Sequence, residues 1–203
     1  MQPVLLAIDR TSVLVGKLFS WCIVLLTLAV STEVFMRYVL GQPTEWAYDA
    51  SYILYGALFM MCGPYLLSRN GHVRGDFLYR TWRPRVQAGV DLALYLLFFF
   101  PAAAALIYTG YDFAKLSWVM KEHSSFSPNG APLYHFKSLI PIAGGLMFLQ
   151  GLAEVARCVA CLRAGAWPQR LHDVEELENL MLAEAAQAQG IPPGSQVRPG
   201  DGV

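Results

Sequence analysis

Charge is scarce in this chain of 203 residues. Asp, Glu, Lys and Arg together make up 15% of it, where a soluble domain usually carries about 25%. The 15 acidic and 15 basic side chains cancel to a formal net charge of zero, so there is no overall basic character of the kind that gathers nucleic acid. No glycine-rich phosphate loop of the GxxxxGK[ST] or GxGxxG type is present, which argues against an ATPase. Neither HExxH nor GxSxG occurs, which argues against a membrane hydrolase. Histidine and cysteine are limited to four each. His72, His123, His135 and His172 fall in loops or at the ends of apolar runs, not on facing helices as a haem bundle needs. Cys158 and Cys161 form a CxxC without a second CxxC or a nearby His pair; on a helix they sit one turn apart, and no metal or redox site is expected of them. No internal repeat is visible, and the expectation is a chain without cofactor or catalytic centre.

Hydrophobic residues, by contrast, make up 55% of the chain and gather in long runs. A bilayer core of about 30 Å needs roughly 20 apolar residues per helix. Four segments meet that length, near residues 13–34, 48–67, 86–108 and 138–162. The expected fold is all-α: an integral membrane protein with four transmembrane helices within residues 1–170. Residues 171–203 read as a separate tail. Asp173, Glu175, Glu176 and Glu178 interleave with Val174, Leu177 and Leu180 as a short acidic amphipathic helix, and a Gly- and Pro-rich end reads as disordered. The first run ends in Ser31, Thr32 and Glu33 with no small-x-small cleavage site, so it reads as a retained span.

The distribution of positive charge orients the chain. Arg10 and Lys17, the loop residues Arg69, Arg74, Arg80, Arg83 and Arg85, and Arg157, Arg163 and Arg170 lie on one side. Arg37, Lys115, Lys121 and Lys137 lie on the other. Cytoplasmic loops carry the excess of Lys and Arg, so both termini are expected in the cytoplasm.

Several residues stand out from the apolar background. Glu33 and Arg37 are an i,i+4 pair with the acid first, the favourable order on a helix; they read as a helix-end pair or as a contact with a partner subunit. Gly41, Gln42 and Pro43 break the helix, and Thr44 is a candidate cap for the next one. Trp46, Tyr48, Tyr52 and Tyr55 crowd the start of span two, where amphipathic rings favour the interface. Asp49 among them wants a partner, and Arg37 across the turn is the expected one. Asp91 and Glu154 lie in spans three and four, with Arg85 and Arg157 as expected partners. Residues 109–137 read as the longest polar connection, with a turn-rich cluster around Ser124, Ser125, Ser127, Pro128, Asn129 and Gly130.

These marks together resemble a family. Arg37-Tyr38 closes span one, Trp46 is followed three residues later by an acid, His72-Val73-Arg74-Gly75-Asp76 exits span two, and Lys137-Ser138-Leu139-Ile140-Pro141 opens span four. From about residue 13 to residue 165 the chain resembles the small (DctQ-type) membrane subunit of tripartite ATP-independent periplasmic (TRAP) transporters. The segment from Ala131 to Arg157 looks most like the mannitol/chloroaromatic branch. The acid after Trp46 is often Glu in that family, and the shorter Asp49 keeps the charge with less reach. The resemblance implies an accessory subunit of a bacterial inner-membrane, sodium-coupled secondary transporter for an organic acid or similar solute. It implies two partners, a large permease subunit and a periplasmic substrate-binding protein. Arg37, Trp46, Asp49, His72, Arg74, Asp76 and Lys137 become candidate subunit or lipid contacts, the arginines suiting anionic lipid head groups. The alternative from another class is a membrane anchor for a redox enzyme.

Overall fold

The computed structural model of the chain describes residues 2–69, 79, 81–127 and 130–168. The candidate residues His72, Arg74 and Asp76 and the acidic tail lie outside them. Among the described residues the chain is helical with a single isolated β-bridge, His123 to Pro132. Helices α1 (Gln2–Tyr38), α2 (Ala47–Ser68), α3 (Pro84–Leu94), α4 (Phe100–Met120), α5 (Leu133–Lys137) and α6 (Leu139–Ala164) follow in order. A π-helical turn, Tyr95–Phe99, fuses α3 and α4 into one continuous span. Among the described residues the result is four helices long and apolar enough to cross a membrane.

Two of these spans are longer than their apolar cores. α1 is helical from Gln2, so residues 2–12, which precede the apolar run expected from residue 13, extend the first span. Its 37 residues measure about 55 Å at 1.5 Å per residue. Helix α4 likewise runs to Met120, which shortens the connection expected over residues 109–137 to a loop at 121–132 followed by α5. Lys121 takes φ 45° to end α4, and the Glu122 N–H reaches back to the Ser117 carbonyl, the closure of a left-handed helix cap.

Packing follows from notches and knobs. A Cβ on Gly16 would lie 2.4 Å from the Tyr65 Cβ, so α1 and α2 approach this closely only because position 16 carries no side chain. Pro101 cannot donate to the carbonyl four residues back. The turn before it widens, and the Phe100 N–H bonds the Tyr95 carbonyl five residues back. Two successive aromatic rings then reach α6: Phe99 fills the notch at Gly151, and Phe100 meets the Phe148 ring at 5.0 Å. Helix α6 touches α1, α2, α3 and α4. In the most apolar stretch of each span the buried share is 33% for the span of α6 and only 6% for that of α3–α4, so α6 is the hub and most apolar surface of the others faces outward.

Antiparallel neighbours place the start of α1 and the end of α6 together, here the terminal end. The end of α1, the start of α2 and the 121–132 loop share the opposite, loop end.

Candidate functional site

Polar chemistry concentrates in two clusters, one at each end of the bundle. At the terminal end, Gln150, Glu154 and Arg157 are spaced four and three residues apart, which puts them on one face of α6. Asp9, Ser12 and Gly16 share the facing stripe of α1 by the same spacing. Arg157, Asp9 and Glu154 are each 1% exposed. The Arg157 guanidinium pairs with Asp9 on α1 and with Glu154 on its own helix. Gln150 Nε2 donates to Asp9 Oδ1 at 2.8 Å, and Ser12 Oγ donates to Gln150 Oε1 at 2.9 Å. Charges at this depth are costly and survive when they face one another inside a bundle. The Glu154–Arg157 pairing matches expectation; Asp9, Ser12 and Gln150 join it through the tertiary fold.

Beside this network, Cys158 and Cys161 are buried and packed on Ala88 of α3. The Cys161 thiol points at the Pro84 carbonyl at 3.6 Å. Trp167 donates to Gln87 Oε1 at 3.1 Å, so the CxxC lies in the packing between α3 and the end of α6. Asp91 accepts a 2.7 Å bond from the Tyr79 hydroxyl. Among the described residues no group of three or more His, Cys, Asp or Glu side chains comes together that could hold a metal ion.

At the loop end the expected pair of Arg37 and Asp49 does not form. Arg37 stays on its own helix, with Nε 2.9 Å from Glu33 Oε1. The other Glu33 oxygen takes the Thr44 backbone N–H at 2.9 Å and the Thr44 hydroxyl. Thr44 therefore closes the α1–α2 turn from outside, and the N-cap of α2 falls on Trp46 without a side-chain cap. Gly41, at φ 67°, supplies the left-handed residue that turns the chain after α1. An acid four residues before Arg37 on the same helix outcompetes one across a turn, because the i,i+4 geometry comes with the helix.

Asp49 is 4% exposed and finds its donors in the distant loop. Ser124 Oγ and Ser127 Oγ each donate to one of its carboxylate oxygens at 2.5 Å. The Tyr48 ring meets Phe126 at 4.9 Å and the Tyr52 ring meets Phe136 at 5.4 Å. The Phe136 ring also fills the space at Gly56, where a Cβ would lie 2.3 Å from its Cζ. These contacts clamp the 121–132 loop and α5 over the start of α2. Lys137 completes the clamp: it pairs with Glu122 and sits 4.0 Å from the centroid of the Phe113 ring. That hydrogen bond from Lys137 holds the Glu122 carboxyl below its usual value. His123 and His135 lie here too, each within ring-contact distance of Tyr134. Trp46 is half exposed beside the clamp.

Of the candidates read from sequence, Arg37, Trp46, Asp49 and Lys137 thus gather at the loop end: Arg37 keeps its expected i,i+4 partner Glu33, Asp49 takes Ser124 and Ser127 in place of Arg37, and Lys137 pairs with Glu122. The α6 triplet 150/154/157 is readable as polar residues at helical spacing, whereas Asp9 and Ser12 precede the apolar run expected from residue 13 and carry no such signal. The seriness of 124–127 was readable only as a turn.

A sequence profile of the family described as "DctQ: Tripartite ATP-independent periplasmic transporters, DctQ component" matches residues 26–161, more than half of the chain. No curated protein matches the chain.

Proposed function

The chain belongs to the DctQ family of tripartite ATP-independent periplasmic transporters, and we propose that it braces the large permease subunit of a sodium-coupled carrier for an organic acid or similar small solute. It is a transporter component and not an enzyme. In these systems the DctQ component works with a large permease subunit and a periplasmic binding protein. The observation that carries the reading is the family match over residues 26–161. The closed polar clusters support it: Asp9, Glu154 and Arg157 saturate one another instead of lining a path. The excess of Lys and Arg at the terminal end supports a cytoplasmic placement of that end in the bacterial inner membrane. The Asp49 clamp then faces the periplasm, beside the binding protein, and residues 171–203 form a cytoplasmic tail. The likeness of residues 131–157 to the mannitol/chloroaromatic branch bears on substrate only through the partner subunits. From the sequence, the arginines between spans two and three, Arg74 among them, suit anionic lipid head groups at the cytoplasmic turn, with His72 and Asp76 beside them as residues that would order that turn.

The test is purification of the tagged chain from its native membrane in mild detergent, with mass spectrometry of what accompanies it. A stoichiometric large permease is the expected companion. Recovery of the chain alone, or with a redox enzyme, would defeat the proposal.

A further inference from the structure

We propose that the outward face of α4, with the groove it forms against α6, is where one helix of the large permease subunit docks, and that this helix places a Lys or Arg opposite Asp112. The inference rests on the accessory-subunit reading above and names its contact surface.

The first observation is a level. Gly110 lies against Ile140 and Pro141 at the start of α6. From Leu139 to Arg157 is eighteen residues of α6, about 27 Å, already close to a hydrocarbon thickness of about 30 Å. Helix α4 continues from Gly110 to Met120, about 15 Å beyond that level. Its buried side there is Gly110, Ala114 and Ser117. The opposite side carries Leu116, Val119 and Met120, which are 58%, 76% and 68% exposed. Lipid tails do not reach so far, and an apolar patch left in water marks a protein contact.

The second observation is charge. Asp112 lies at the foot of this patch, four residues from Tyr108 and from Leu116 and hence on their face. It is exposed and has no hydrogen-bond or ion-pair partner among the described residues, and neither does Lys115 one turn on. The third is shape. Below Asp112 an apolar groove of about 460 Å³ opens between α4 and α6, lined by Ala104, Ile107, Tyr108, Tyr111, Pro141 and Phe148. A bulky side chain of a neighbouring helix fits it.

Helix α1 offers the contrast. Its exposed face presents Leu14, Leu18, Trp21, Leu25 and Leu28, a convex branched surface suited to lipid. Its Thr27 and Thr32 hydroxyls are tied to its own backbone, donating to the Ile23 and Leu28 carbonyls, both at 2.8 Å. Its outer charges, Glu33 and Arg37, satisfy each other. Within the described spans the acid without a partner is Asp112 on α4, so the complementary base is expected there.

The experiment uses the tagged chain co-expressed with its permease. A photo-crosslinking amino acid is placed at Tyr108 or Val119 on α4, and at Leu18 or Leu25 on α1. Crosslinks to the permease from the α4 sites and none from the α1 sites are expected. Asp112→Lys should lower the recovered permease by about tenfold, since a like-charge contact costs more than 1.4 kcal/mol, while Asp112→Glu retains it. Crosslinks from α1 alone, none from either helix while the permease still co-purifies, or unchanged recovery with Asp112→Lys would overturn the docking face and leave the subunit reading standing. Crosslinks from Val119 to a second copy of this chain would overturn it as well. Absence of any co-purifying permease with the unmodified chain would overturn both.

Discussion

Arg157 at the terminal end and Asp49 at the loop end are both buried charges, yet they are satisfied by opposite means. Arg157 meets two carboxylates, one from its own helix and one from α1, inside a core with 1% exposure. Asp49 meets no cation among the described residues. Two serine hydroxyls from a loop some 75 residues on in sequence supply its bonds. The first arrangement locks helix to helix; the second locks a loop to a helix. The ionic core holds the bundle's register, because breaking it strands charge. The hydroxyl clamp holds a surface in place and can let go at a smaller cost.

The comparison breaks most sharply at Arg157. Arg157→Ala leaves Asp9 and Glu154 buried without their cation and should destabilise the bundle by about 3–5 kcal/mol, read as a lowered melting point in detergent. Replacing Asp9, Glu154 and Arg157 together by apolar residues of similar volume should recover most of that loss. If the single and triple variants melt alike, the network is not acting as a charge lock.

Asp49→Ala should cost less, about 1–3 kcal/mol, the price of leaving Ser124 and Ser127 without their acceptor. Its signature is local: faster proteolysis within residues 121–132, with the helical bundle intact. Permease recovery should fall more than substrate affinity does.

Acid sharpens the contrast at the loop end. Glu122 has a folded value lowered by Lys137, so its contribution is complete above the ordinary carboxylate value of about 4.3. It is lost as pH falls through the lower folded value. Loop protection should therefore persist at neutral pH and weaken only in that acidic window. Lys137→Met should weaken this pH dependence, measured by proteolysis across a pH series.

The smallest effect is expected at Arg37. Its side chain is 55% exposed, and an exposed pair contributes at most about 1 kcal/mol. Arg37→Ala should leave the melting point nearly unchanged, so any strong loss of permease recovery would mark Arg37 as a contact and not a brace.

Much of this was legible beforehand because membranes impose it. Four long apolar runs had to be helices, since a backbone in lipid must satisfy its own hydrogen bonds. The pairing of Glu154 with Arg157 was legible for a similar reason, lying within one helix at i,i+3. The partner of Asp49 was not. Trp46 and Arg37 are near it in sequence, but Ser124 and Ser127 reach it only after α4 overshoots the start of α6 and the loop folds back. Asp9 was hidden for a different reason: it precedes the apolar run that begins near residue 13, and only the continuation of α1 to Gln2 turns it toward Arg157.

The amino-acid order by itself determined the four spans, the transporter family and every contact made within one helix, because those depend on local periodicity and on the bilayer's demand for apolar length. Only the tertiary structure decided which acid meets which donor across helices. That choice depends on where glycine notches at 16, 56 and 151 let neighbours close in, and on how far each helix runs past the next, neither of which has a period that a linear reading can see.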